Sequence, residues 1–123
     1  RAGAEAAFHP RADLTAPLLA ELARFDDAGF RALFSGSPIK RIGRDRFVRN
    51  VLIALGNSGD PAALVAIEPL LEDASPLVRA MAVWAFRALA PRHRQDAARA
   101  ARLPAETDPA VRREWTLPSP AAP

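Results

Sequence analysis

Cysteine is absent from the 123 residues, which excludes disulfides, thiolate nucleophiles, sulfur-based zinc sites and iron–sulfur clusters built by this chain alone. Histidine occurs only as His9 and His93, far apart in the chain, so a metal site made of several imidazoles is not expected. Tyrosine is also missing, which narrows the side chains that could stack on bases. No run approaches the roughly 18 consecutive apolar residues of a membrane-spanning helix. No charged-then-apolar N-terminus marks a secretory signal, so a cytoplasmic location without a membrane partner is the default expectation. What is present is a chain that is 50% hydrophobic, long enough for one compact domain and too short for two.

The net charge is a modest +3, but it is unevenly placed. Residues 1–59 hold nine basic and six acidic side chains, while residues 60–123 hold eight of each. Within residues 40–49, Lys40, Arg41, Arg44, Arg46 and Arg49 face one acid, Asp45, a local charge of +4. Sixteen of the seventeen cations are arginine, and the chain is also rich in alanine, so part of this bias reflects genomic composition.

Proline and glycine divide the chain into pieces too long for strands, and apolar residues recur within them at helical spacing. Three pairs, Asp60-Pro61, Ser75-Pro76 and Asp108-Pro109, put an oxygen-bearing cap before a proline whose missing N–H costs nothing in a first turn. Helices are expected near 15–24, 26–34, 44–55, 61–72, 76–90, 93–103 and 109–115. Gly56 and Gly59 frame the turn Asn57-Ser58, and Pro91 stops the long helix. The segment from Leu77 to Ala90 is apolar around almost its whole circumference, so it is expected to lie between neighbours, with Leu77, Met81, Trp84 and Ala88 as one core-packing face. Residues 1–12 are expected to be a linker from a missing N-terminal part, 13–115 the folded domain and 116–123 a disordered tail.

Val48-Arg49, Val78-Arg79 and Val111-Arg112 recur at offsets of 30 and 33 residues, each followed by apolar helical sequence. A single helix pair cannot bury its apolar face, and stacked pairs can. An acid stands six residues before two of these arginines, Asp73 before Arg79 and Glu106 before Arg112, and in the HEAT family, which the repeat resembles, such residues form a ladder between repeats. The equivalent position before Arg49 is Gly43, which leaves Arg49 among other cations and open to an external anion. The expected fold class is all-α, a short α-solenoid of about six to seven helices resembling HEAT-like (PBS-lyase-type) pairs.

The stretch Gly36-Ser37-Pro38-Ile39-Lys40-Arg41-Ile42-Gly43-Arg44-Asp45-Arg46-Phe47-Val48-Arg49-Asn50 leads a basic loop directly into a helix. On a helical wheel Phe47, Val48, Val51, Leu52 and Leu55 form the buried arc, while Arg46, Arg49 and Asn50 fall on the opposite side. Helix N-terminal N–H groups, the helix dipole and bidentate guanidinium groups all favour phosphate or another anion. The candidate nucleic-acid or anion site is therefore Lys40, Arg41, Arg44, Arg46, Arg49 and Asn50. A solvated charged helix face is the alternative.

The run from about Ala28 to Ala90, including FSGSPIKRIGRDRFVRNVLIALGNSGDP and DASPLVRAMAVWAF, resembles the C-terminal HEAT-like domain of bacterial epoxyqueuosine reductase, with the likeness extending over most of residues 10–115. The resemblance implies a parent enzyme that uses cobalamin and two 4Fe–4S clusters to reduce epoxyqueuosine to queuosine at the tRNA wobble position. It further implies a helical domain that helps to hold the tRNA anticodon stem-loop beside the catalytic part of the same protein. The cluster cysteines and the catalytic portion have no counterpart here, so no catalytic residue is assigned.

Two uses compete. In one the cations contact RNA phosphates, which position a nucleic acid without reading its sequence. In the other the stack is a scaffold gripping a protein partner, such as the parent's own catalytic domain. An independent hydrolase is disfavoured: Ser35, Ser37 and Ser58 lie near turns, no GxSxG pattern is present, and the carboxylate pairs Asp26-Asp27 and Glu72-Asp73 suit helix capping.

Overall fold

The computed structural model describes residues 16–118. The expected linker 1–12 lies outside the described residues, as do residues 119–123 of the expected tail. The chain is all-α, as its periodicity required, with seven helices among the described residues: α1 (Ala16–Ala23), α2 (Asp27–Leu33), α3 (Gly43–Asn57), α4 (Leu64–Ile67), α5 (Pro76–Leu89), α6 (Arg92–Arg102) and α7 (Pro109–Thr116). Among them no helix is long and apolar enough to cross a membrane.

The three cap–proline pairs act as their sequence indicates. Asp60 Oδ1 accepts from the Ala62 N–H at 3.0 Å, Ser75 Oγ from Val78 at 3.3 Å, and Asp108 Oδ1 from Ala110 and Val111 at 2.9 and 3.2 Å. Asp26 caps α2 in the same way, accepting from Gly29 at 2.7 Å. Ser58 is a turn residue, donating to the Leu55 carbonyl at 2.6 Å and accepting from the Asp60 N–H at 3.2 Å.

One expected helix breaks up. Residues 61–72 form 3-10 turns at Pro61–Ala63 and Glu68–Glu72 on either side of the single α-turn of α4. Pro69 is the cause: it has no N–H to offer the Val65 carbonyl, and its ring crowds that carbonyl. Pro104 similarly turns Leu103–Ala105 into a 3-10 end after α6.

Helices α3, α5 and α7 lie side by side as one layer, α5 in the middle, while α1, residues 61–72 and α6 cover the other side. The core between the layers is apolar and nearly dry. Phe47, Val48, Val51, Leu52 and Leu55, the predicted arc of α3, are all 0% exposed. Phe25, Phe30 and Phe34 close around Phe47 with ring centroids 5.1–6.2 Å from it, fixing α2 on the start of α3. At the other end Phe86 meets Trp115 edge-on at 6.4 Å.

The side-by-side layer is held in register by carboxylates. Asp73, just ahead of α5, accepts from Arg44 of α3 through both oxygens, at 2.8 and 2.9 Å, and also accepts the Ser75 N–H at 3.0 Å. Glu106, just ahead of α7, accepts from Nε and Nη2 of Arg79 of α5 at 3.0 Å each, and takes the Asp108 N–H at 2.9 Å. Each acid thus orders the cap of its own helix and grips the arginine of the preceding one. The acids thus form a ladder between successive helices, with Arg79 in a structural salt bridge. From the segment ahead of its own helix Arg79 takes only the carbonyls of Asp73 and Ala74, and Arg112 those of Leu103 and Glu106, because the carboxylates face the preceding helix.

Contacts at the far ends make the layer parallel. Gly56, near the end of α3, sits against Trp84 and Ala85, where a Cβ would come within 2.4 Å of the indole. Arg87 of α5, buried at 7% exposure, donates to the Glu114 carbonyl near the end of α7, and Arg99 donates to the Trp115 carbonyl. Burial, reinforced by the nearby charge of Arg99, lowers the Arg87 pKa from its ordinary value, yet the cation suits the carbonyl end of a helix.

Burial alone would raise the Asp73 carboxyl, but hydrogen bonds from Arg44 and Ser75 and the charges of Arg44 and Arg79 hold it below its ordinary 3.8. The Arg79 hydrogen bond, working against burial, holds Glu106 below its ordinary 4.5. Both contribute stability that is fully present above those ordinary values and is lost as pH falls through them towards the lower folded-state values. The thermal midpoint is expected to be nearly flat down to about pH 5 and then to fall. Scanning calorimetry checks this, the fall being shallower in Asp73→Asn.

Candidate nucleic-acid and anion interface

The basic segment is more ordered than a loop. Residues Pro38–Ile42 form a 3-10 turn whose cap, Ser37, accepts from the Ile39 N–H at 3.2 Å. Gly36 and Gly43 bracket it with φ of 79° and 83°, a backbone region that an L side chain resists. Ile39 points into the core at 9% exposure, which turns Lys40 and Arg41 outwards. Gly36, Ser37, Pro38, Lys40 and Arg41 line a surface concavity of about 540 Å³.

From Gly43 the chain enters α3, whose N-terminus has no side-chain cap. The preceding 3-10 turn takes its place in part, the Gly43 N–H donating to the Lys40 carbonyl. Arg46 is exposed, and Arg49 and Asn50 are half-buried, with Arg49 Nη2 3.4 Å from Asn50 Oδ1. Arg49 Nε is buried and has no hydrogen-bond partner among the described residues.

Arg44 departs from its expected role. Its side chain is 13% exposed, with Nε donating to the Phe25 carbonyl at 2.7 Å and both terminal nitrogens on Asp73. Asp45 adds a weaker contact at 3.2 Å. The hydrogen bond to Asp73 outweighs burial and raises the Arg44 pKa above its ordinary value. Arg44 is a scaffold residue and leaves the set of groups open to a ligand. The reason lies in position: with Gly43 where later repeats have an acid, Asp73 draws its partner from the first turn of α3.

The remaining cations keep the surface positive. Among the described residues Lys40, Arg41, Arg46 and Arg49 have no carboxylate within ion-pair distance. The concavity collects Lys40 and Arg41 but not Arg46, Arg49 or Asn50, so the six sequence-predicted residues separate into a loop pair, a helix row and the inward Arg44. Such a surface can bind anions through charge-assisted hydrogen bonds. No group of three or more His, Asp or Glu side chains among the described residues could hold a metal ion.

Trp84 and Met81 pack against the core as expected, but the face they share is not closed. Trp84, Met81 and Ala88 are only partly buried and Leu77 is 40% exposed. The neighbours of α5 lie to its two sides and behind it, which leaves this fourth face open. The helical wheel found the face, but nothing in it gives the number of neighbours.

The fold and the surface together define a class: an all-α chain presenting a cationic loop and helix row. Curated proteins similar to the chain are epoxyqueuosine reductases. That of Alicycliphilus denitrificans is 41% identical over 87 residues, covering 64% of this chain and 24% of the relative. The Xanthomonas campestris pv. campestris protein is 40% identical over 80 residues (64% and 22%), and the Escherichia coli protein 41% over 73 residues (54% and 19%). The chain thus resembles a segment of the epoxyqueuosine reductases and spans at most about a quarter of the length of these three relatives. No family model and no solved structure matches it.

Scaffold and surface roles are separable by stability. Arg44→Ala, which strands Asp73 and the Phe25 carbonyl, should cost about 2–4 kcal/mol. Arg41→Ala and Arg46→Ala should each change stability by less than about 0.5 kcal/mol. Urea unfolding of the three variants measures the contrast.

Proposed function

We propose that this chain is a HEAT-like, tRNA-binding accessory part of an epoxyqueuosine reductase, a cytoplasmic enzyme of queuosine formation in tRNA. It holds the anticodon stem-loop by its phosphates and is not catalytic alone. The observation that carries the proposal is the group of four cations, Lys40, Arg41, Arg46 and Arg49, which have no carboxylate partner among the described residues in a fold that neutralises Arg44, Arg79 and Arg94. Asn50 adds a neutral hydrogen-bonding group to the helix row. Phosphate contacts of this kind fix the position and orientation of an RNA, and choice of the modified base belongs to another part of the enzyme.

The cobalamin and two 4Fe–4S clusters that such a reductase would use belong to that other part. A cluster needs thiolate ligands, and this chain has no cysteine, so its residues do not fit one and no step of the reduction is assigned to them.

The test is fluorescence anisotropy with an anticodon stem-loop RNA. With about four phosphate contacts, affinity should fall on the order of 50-fold between about 50 and about 200 mM salt. Charge reversal at Lys40 and Arg41, or at Arg46 and Arg49, should each remove about two contacts and flatten the salt dependence by half. Salt-insensitive binding, or binding unchanged by both reversals, overturns the proposal.

A scaffold role has its own observation. A groove of about 520 Å³ runs between α1 and residues 61–72, its mostly apolar lining of Ala20, Ala23, Ala62, Val65, Ala66 and Leu70 joined by Arg24 and Arg44, with Val65 80% exposed. Its exposed Val65 and neighbouring alanines suit a contact with the rest of the parent enzyme, since about three-quarters of the Alicycliphilus relative lies beyond the matched segment. Val65→Glu should weaken association with the separately produced remainder of such a reductase about tenfold, and leave RNA affinity unchanged.

A further inference from the structure

The open face of α5 adjoins the cationic row of α3, and the geometry of the two helices says how closely. Leu77, Met81, Trp84 and Ala88 fall within about 60° of one another on the wheel, so they form one stripe along α5. This stripe is only partly covered, Leu77 at 40% exposure and the other three half-buried. The indole of Trp84 leans on α3 at Gly56. Gly56 is seven residues beyond Arg49 in one unbroken helix, which puts the two on the same face of α3, about 10.5 Å apart along its axis. That face turns towards α5, in keeping with the buried Nε of Arg49. Arg49 therefore borders the stripe, two helical turns before the indole, and the exposed Arg46 lies about 60° further round α3 on its solvent side.

A partly exposed tryptophan beside unpaired guanidinium groups is the chemistry that binds single-stranded nucleic acid: the cations meet phosphates, and the ring offers a π-face that accepts any base. A paired helix keeps its bases stacked on one another and offers none to the ring. We infer that Trp84 is a stacking platform for an unpaired base of the RNA whose phosphates are held by Arg46 and Arg49, with Met81 and Leu77 extending its apolar border. The inference rests on the RNA-binding reading above and adds to it a preference for loops over duplex. Gly56 serves as the seat of the platform, because any side chain there would push the indole off α3.

Intrinsic fluorescence tests this directly. Of the two tryptophans, Trp115 is 1% exposed, so quenching on RNA addition reports Trp84. A stem-loop RNA should quench the emission, and a fully paired duplex of equal charge should bind without quenching. Trp84→Ala should weaken stem-loop binding about tenfold and leave duplex binding unchanged, while Trp84→Phe, which keeps a ring and safeguards the fold, should weaken it less than about threefold. If Arg46 and Arg49 prove necessary but Trp84→Ala and Trp84→Phe bind the stem-loop like the parent chain, without quenching in the parent chain, phosphate binding stands and the platform is overturned. Equal losses for stem-loop and duplex also overturn it, since a change in the fold alone would produce them. If neither RNA binds, both readings fall. If RNA leaves Trp84 emission unchanged while the remainder of a reductase quenches it, the stripe is a protein contact and the inference is wrong.

Discussion

A single carboxylate between each two neighbouring helices of the α3–α5–α7 layer sets the register of the molecule. Asp73 and Glu106 have the same two tasks: each accepts the N–H of the cap residue two positions on, and each receives both ends of a guanidinium fork from the preceding helix. The apolar side chains these helices bury, from Val78 to Phe47 and Trp115, pack by shape and carry no directional bond of their own. A bidentate pair is directional, and at 13% exposure or less on the carboxylates it is shielded enough from water to enforce that direction. The parallel alignment of the layer follows, with α3, α5 and α7 beginning at one end and the Gly56 and Arg87 contacts falling at the other.

That constraint also divides the arginines. A guanidinium drawn into the ladder is neutralised and held as part of the scaffold, as are Arg44 and Arg79. Cations one turn further along α3, or one turn earlier in the 3-10 segment, are out of reach of the same carboxylates and keep their charge for a ligand. The distinction between Arg44 and Arg46 is therefore one of direction on a helix, two residues apart and about 200° around it. Of the two flanks of the cationic row, the one towards α5 brings it beside the partly open tryptophan stripe, so the candidate anion surface and the candidate stacking surface are consequences of one packing arrangement.

Much of this was legible in the residues. Asp60, Ser75 and Asp108 announce helix starts because a side-chain oxygen followed by proline solves a local problem of unsatisfied N–H groups, wherever the segment sits. The buried arc Phe47, Val48, Val51, Leu52 and Leu55 was legible because helical periodicity is local as well. Pro69 interrupts a periodic apolar pattern that otherwise reads as one helix, which is why residues 61–72 were expected to be continuous. The likeness of residues 28–90 to a segment of epoxyqueuosine reductases was legible as a motif.

Sequence by itself determined the helical class, the capped starts, the apolar face of α3 and the local excess of positive charge, since each depends on residues within a turn or two of one another. The tertiary structure alone decided that Asp73 takes Arg44 across 29 positions, that Arg46 and Arg49 meet no acid among the described residues, and that Trp84 stands at a partly open face. Those outcomes depend on which helix lies alongside and which side has no neighbour, and a periodic pattern encodes the orientation of a face without encoding what meets it.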